Sequence, residues 1–170
     1  MLVTLLKIKK IKCLTLVEVL VAVGISLLLI GVSIPLLSRE GNRLSLEREA
    51  EAIAAYYTKA QNYSFHPERK DVDSYSVVPG DCNSSRRCKR LAIVANYQGE
   101  AVEVDSFNIP RAVIKAFFRE VPTVEYQLGS GNITSSDSIN IMAYFENNPS
   151  KPASITIYPT GAVDVRTQNE

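Results

Sequence analysis

The sequence contains no tryptophan, a single histidine and only three cysteines. So few imidazole and thiol groups leave no material for a His-rich metal centre. His66 has no Ser, Cys or Asp motif around it, so no catalytic triad suggests itself. Charge of one sign is not in excess either: 19 Lys+Arg stand against 18 Asp+Glu. A chain so balanced has no global basic field for wrapping nucleic acid. Internal repeats and low-complexity tracts are missing. Gly129-Ser130-Gly131 lacks the Lys-Ser/Thr ending of a phosphate loop. With 22% charged and 46% apolar residues the composition is that of a folded chain. Its 170 residues suit one modest domain, or one domain with an appendage. The expectation is a protein that is not an enzyme and holds no cofactor or metal.

Long apolar runs are also rare, with one exception near the start. Residues 1–13 read MLVTLLKIKKIKC and carry four lysines, Lys7, Lys9, Lys10 and Lys12. Leu14 to Leu37 follow, 24 residues with Glu18 as the one formal charge. A helix of that length spans roughly 36 Å, enough for a hydrocarbon core of ~30 Å. Lysines before the run and none inside it predict a cytoplasmic N-terminus and an exported C-terminal part. The run is too long for a typical secretory signal, and no small-x-small cleavage site follows it. Cys13 precedes the apolar run among lysines, which does not fit a lipoprotein signal.

Glu18 is the informative residue. A carboxylate at mid-bilayer costs on the order of 2.5–3.5 kcal/mol, and less near the edge. Two readings stand. Either Glu18 sits at headgroup level and is tolerated, or it meets a cation once the helix leaves the lipid. A free α-amino group made by cleavage just before the run would be such a cation.

Cys13-Leu14-Thr15-Leu16-Val17-Glu18-Val19-Leu20 resembles the cleavage and methylation motif of type IV prepilins and type II secretion pseudopilins. That motif is a small residue, usually Gly, an apolar residue, then Thr-Leu-x-Glu and a long apolar run. Here Cys13 stands where Gly is usual and Leu14 where Phe is usual. The resemblance implies cleavage between Cys13 and Leu14 and N-methylation of Leu14. It implies filament assembly through Glu18, the fifth mature residue, and a helix kink at Pro35, the twenty-second.

Past Leu37 the composition shifts. Arg39, Glu40 and Arg43 mark an exit from the membrane, and Gly41-Asn42 is a weak point for helix. Leu46, Ala50, Ile53, Tyr57, Ala60 and Ser64 then recur at spacings of four and three, one face of an amphipathic helix. His66-Pro67 ends it. Residues 66–90 are polar and punctuated by Pro67, Pro79-Gly80 and Asn83-Ser84-Ser85. Beyond them the pattern is β. Arg90–Ala95 and Ala101–Asp105 flank a hairpin loop, Asn96 to Glu100, with Val102 and Val104 facing inward. Ala112 to Phe118 reads as strand or helix, bounded by Pro110 and Pro122. Val124, Tyr126 and Leu128 alternate with polar residues, and so do Ile139, Ile141, Ala143 and Phe145. Ile155 and Ile157 lead into Tyr158-Pro159-Thr160-Gly161, which fits a type I turn with a left-handed Gly bulge before Val163 and Val165.

A helix followed by short antiparallel strands is an α+β layout, and it resembles the pilin fold: a long N-terminal helix, half transmembrane and half amphipathic, on an antiparallel sheet. The expected organisation is a basic leader over 1–13, a transmembrane and filament-core helix over 14–38 and an amphipathic helix over 39–65. A variable region with a Cys loop follows over 66–90, and an antiparallel β-sheet domain over 91–170. Ser154 to Arg166 also resembles the final hairpin of GspH/FimT-type minor pseudopilins. Members of that group that bind DNA are associated with a basic Gly-Arg-x-Arg tail, which Gly161-Ala162-Val163-Asp164 lacks.

If Cys13 leaves with the leader, Cys82 and Cys88 remain, an even count in an exported domain. A disulfide between them closes a short loop; two free thiols are the alternative. Arg86, Arg87, Lys89 and Arg90 cluster beside that loop. They read either as a phosphate-binding knob for DNA or as a solvated charged loop, and the absence of an aromatic platform favours the second.

The function implied by the resemblance is structural, a minor pilin or pseudopilin of a type IV pilus or a type II secretion pseudopilus. Its expected partners are a prepilin peptidase, other pilin or pseudopilin subunits, an inner-membrane assembly platform, and membrane lipid before assembly. Its expected location is the inner membrane as a single-pass protein, and then the filament. A DNA-binding competence pilin and a signal-anchored exported domain unrelated to filaments are the alternatives.

Overall fold

The computed structural model describes residues 15–67, 71–116 and 120–167, without the side chains of residues 30–40 and of Ser150. Among the described residues one helix is followed by eight strands: α1 (Leu16–Phe65), β1 (Ser74–Gly80), β2 (Arg90–Tyr97), β3 (Glu100–Asn108), β4 (Ala112–Ala116), β5 (Val124–Gln127), β6 (Ile139–Phe145), β7 (Asn148–Ile157) and β8 (Val163–Thr167). The chain divides into two compact units, residues 1–41 and residues 42–170.

In the first unit α1 opens with a capped turn. The Thr15 hydroxyl accepts from the Glu18 backbone N–H at 3.3 Å, the geometry of an N-cap with Glu at the third helical position. The carboxylate also lies where the helix dipole favours negative charge. From Leu16 to Leu29 the apolar side chains are exposed. Among the described residues, no helix is long and apolar enough to cross a membrane.

In the second unit the helical stripe Leu46, Ala50, Ile53, Tyr57 and Ala60 is buried, as its spacing requires, and Ser64 with it. This stripe shares one core with inward residues of two sheets, Tyr75, Val77, Leu91, Ile93 and Tyr126 from one, Ile114, Ile141, Ala143, Ile155 and Ile157 from the other. The amphipathic helix packed on antiparallel strands is the expected α+β pilin-type fold, with the strands split between two four-stranded sheets rather than joined in one. Their orders are β3-β2-β1-β5 and β4-β6-β7-β8, antiparallel throughout.

Three local expectations change. Residues 66–90 are more than a loop, because β1 lies among them, between β2 and β5. Ser74 to Val77 are all buried: Tyr75 and Val77 enter the core, and the Ser74 and Ser76 hydroxyls accept from the Asn96 side-chain amide, so no simple alternation marks the strand, which ends in Pro79-Gly80. Pro79 is tolerated because β5 covers only Ser74 to Val77, so at Pro79 only β2 stands opposite. The β2–β3 loop shortens from five residues to two. Gln98 and Gly99 both take positive φ, +46° and +90°, the type I′ turn that suits the strand twist. Finally, Val102 is 49% exposed rather than inward. The ladder pairs Ile93 with Asp105 but Val94 with Glu103, so Val104 is an extra residue and the face alternation breaks there. Ala112 to Ala116, ambiguous in sequence, is strand.

Candidate functional site

Residue placement follows from these two units. Cys13 and Leu14 lie outside the described residues. Glu18 is exposed in the first turn of α1, beside its cap Thr15. Thr15 was not singled out by the apolar pattern, although Thr15-Leu16-Val17-Glu18 is the Ser/Thr-x-x-Glu signature that opens helices. Pro35 lies within α1, and its side chain is outside the described residues. Leu16, Leu27 and Leu28, with their neighbours up to Leu29, present an exposed apolar surface.

Cys82 and Cys88 are joined by a disulfide. Its loop is shaped by Asn83, whose side-chain oxygen accepts from the Ser85 and Arg87 N–H groups, both at 3.0 Å. Asp81, just before the loop, and Arg86, within it, take positive φ. Cys88 is buried, and its N–H and C=O each bond Ile114 at 3.0 Å. The bonded loop is thereby anchored to the edge of β4.

The four basic residues beside the loop do not form one patch. Arg86 faces Glu120 at 4.0 Å, Lys89 faces Glu146 at 3.5 Å and Arg90 pairs with Glu103 on β3. Arg87 lies over the Tyr144 ring, 5.9 Å from its centroid, with Nε buried. Three of the four cations therefore already have a carboxylate, and the fourth is turned onto an aromatic ring. That arrangement suits packing and solvation better than phosphate binding. Among the described residues, no group of three His, Cys, Asp or Glu side chains is placed to hold a metal.

A second cluster, which sequence patterning did not single out, links the helix to the sheets. Glu49 Oε2 accepts from the backbone N–H groups of Arg111 (3.1 Å) and Ala112 (2.7 Å) and so fixes the start of β4. Lys59 bonds Asp105 at 2.7 Å, which raises the Lys59 pKa and lowers that of Asp105. Gln61 donates to the carbonyls of Gly131 (3.1 Å) and Thr160 (3.0 Å), tying two loops to the helix. These contacts couple distant sequence positions, so no local pattern announces them.

No family model matches the chain, and no curated protein does. Its fold is similar to that of the type IV minor pilin FimU of Pseudomonas aeruginosa strain PAO1. The likeness to the crystal structure in space group P65 has a TM-score of 0.55 at 13% identity and covers 74% of this chain and 98% of that one. For the P21 crystal the TM-score is 0.56 at 13% identity, over 75% and 96%. At such identity the likeness is one of fold.

Proposed function

We propose that this chain is a minor pilin or pseudopilin, a structural subunit of a type IV pilus or a type II secretion pseudopilus. In this reading a prepilin peptidase cleaves between Cys13 and Leu14, Leu14 is N-methylated, and the subunit passes from the inner membrane into a filament through its apolar helix. The observation that carries it is the coincidence of the Cys13-to-Leu20 motif with a pilin-type fold in the same chain. The exposed apolar surface from Leu16 to Leu29 supports it, because a surface of that length requires lipid or other subunits to cover it.

Glu18 supplies the assembly chemistry. The Leu14 amine stays positive after methylation, and burying it unpaired in a helix bundle is costly. Glu18 follows Leu14 by four residues and can face the amine of its own or an incoming subunit. Such a pairing sets axial register, since apolar side chains alone slide with little preference. The test has two arms. Intact mass of the membrane-extracted chain is expected to show loss of residues 1–13 and one added methyl group. Glu18→Ala is expected to insert and be cleaved yet fail to co-purify with the major filament subunit. Retention of residues 1–13 sinks the processing assignment and favours a signal-anchored domain; equal recovery of Glu18→Ala reduces Glu18 to a helix-capping acid.

A further inference from the structure

Two sheets have four edges, and the chain treats them differently. The β5 edge is covered by the bridge between Tyr126 and Ile133, and the β4 edge by the bridge between Cys88 and Ile114. The β3 edge carries Glu100, Glu103 and Asp105 and the register shift at Ile93/Val94, devices that discourage strand addition. The fourth edge, β8, has neither a bridge nor a bulge among the described residues.

The register of β8 shows which of its groups are open. Tyr158 N–H bonds Ala162 O and Gly161 N–H bonds Tyr158 O, so Tyr158 and Ala162 are the hydrogen-bonded pair that closes the β7–β8 hairpin. Antiparallel pairs alternate between hydrogen-bonded and non-bonded. Ile157–Val163 is then non-bonded, Thr156–Asp164 bonded, Ile155–Val165 non-bonded and Ser154–Arg166 bonded. The backbone groups of Asp164 and Arg166 therefore point to β7, and those of Val163, Val165 and Thr167 point outward. No described backbone hydrogen bond uses those outward groups.

We propose that β8 pairs antiparallel with β8 of a second copy of this chain, with Val165 on the twofold axis. That register exchanges N–H and C=O between the two Val165 residues, and between Val163 of one copy and Thr167 of the other. It also sets Asp164 directly opposite Arg166 of the second copy, twice, in the non-bonded positions where side chains approach most closely. The strand is thus complementary to itself in charge as well as in hydrogen bonding, as an isologous contact must be. Within one copy Arg166 and Asp164 already lie 2.9 Å apart with side chains 77% and 40% exposed, so both ends of the pair are available at this edge. The contact joins two four-stranded sheets into one of eight, and it does not depend on the filament reading.

The test uses charge reversal on the full chain in mild detergent, read by light-scattering mass and by ion exchange. Wild type is expected to show twice the monomer mass. Asp164→Arg and Arg166→Asp each place like charges opposite one another and are expected to halve that mass. Mixed in equal amounts, the two variants restore opposite charges at both positions and are expected to form a mixed dimer of intermediate ion-exchange retention. The rescue by mixing excludes misfolding as the cause of the single losses. A monomeric wild type, single variants that associate as wild type does, or a mixture that stays monomeric each overturn the proposal.

Discussion

The Tyr56 hydroxyl accepts a hydrogen bond from the Ile93 backbone N–H at 3.2 Å, where the β2–β3 ladder shifts register. A bulge in a buried ladder disrupts regular pairing and threatens to leave a main-chain donor unpaired. A side chain from α1 fills that vacancy, and its ring stacks on Phe107 of β3 with centroids 5.5 Å apart. Helix and sheet are therefore fixed to one another by a polar contact inside the core as well as by apolar burial.

Replacing Tyr56 with Phe keeps the ring and removes the acceptor. The expected cost is about 1–3 kcal/mol, that of a buried donor left unsatisfied. Thermal unfolding of the full chain in detergent measures it. An unchanged Tm would show that the Ile93 N–H is not dependent on Tyr56.

Alkaline pH acts on the same core. Burial, then the nearby Asp105 carboxylate, pushes the Tyr56 pKa up from 10.0 to about 12. Burial raises Tyr57 and Tyr126 as well, and for Tyr57 the neighbouring Tyr126 adds to it. A raised phenol pKa means that the fold favours the protonated form. That contribution is intact below pH 10 and is lost as pH climbs from 10 through 12, because the unfolded chain then releases protons the folded chain retains. Tm followed against pH, with phenolate absorbance alongside, is expected to stay level on this account at neutral pH and to fall above pH 10. A Tm that does not fall across that window would contradict the burial of these hydroxyls.

Gly129 and Gly161 make a controlled pair. Both take positive φ, +76° and +78°. An added methyl group at Gly129 meets nothing within 4 Å, whereas at Gly161 it collides with the Gly131 carbonyl oxygen and the Gln61 amide. Gly129→Ala is expected to cost roughly 1–2 kcal/mol, the left-handed strain alone. Gly161→Ala should cost clearly more, because it also breaks the Gln61 bonds to Gly131 and Thr160. Equal losses in denaturant unfolding would remove the Gln61 latch from the account of stability.

Cutting the Cys82–Cys88 bond frees a loop anchored to β4 through Ile114. On chain entropy alone a loop of this length contributes about 2–3 kcal/mol. Cys82→Ser with Cys88→Ser is expected to lower stability by that amount and to raise hydrogen exchange at Arg87 and Tyr144. Unchanged exchange there would mean that the loop holds its place through Asn83 and the Ile114 bonds without the disulfide.

Much of this protein is decided locally. The 3.6-residue spacing from Leu46 to Ser64 suffices to choose which helical face is buried, and the period-two alternation of Ile139 to Phe145 chooses a strand face. Pro159 and Gly161 define their turn because the chain can take so few conformations there. The Cys13-to-Glu18 motif is likewise legible, since its residues are adjacent in sequence. What lay beyond the sequence is what two distant segments settle together. β1 counts as a strand because β2 and β5 flank it, although Pro79-Gly80 reads as a turn. Three of the four basic side chains gain a carboxylate neighbour only when Glu103, Glu120 and Glu146 arrive from other segments. Val104 becomes an extra residue through the register of the whole ladder, and Tyr56 acquires a partner only because of that shift. Torsional and periodic preferences act over a few residues and survive in the sequence; pairing energies depend on which strands meet, and only the packed fold fixes that.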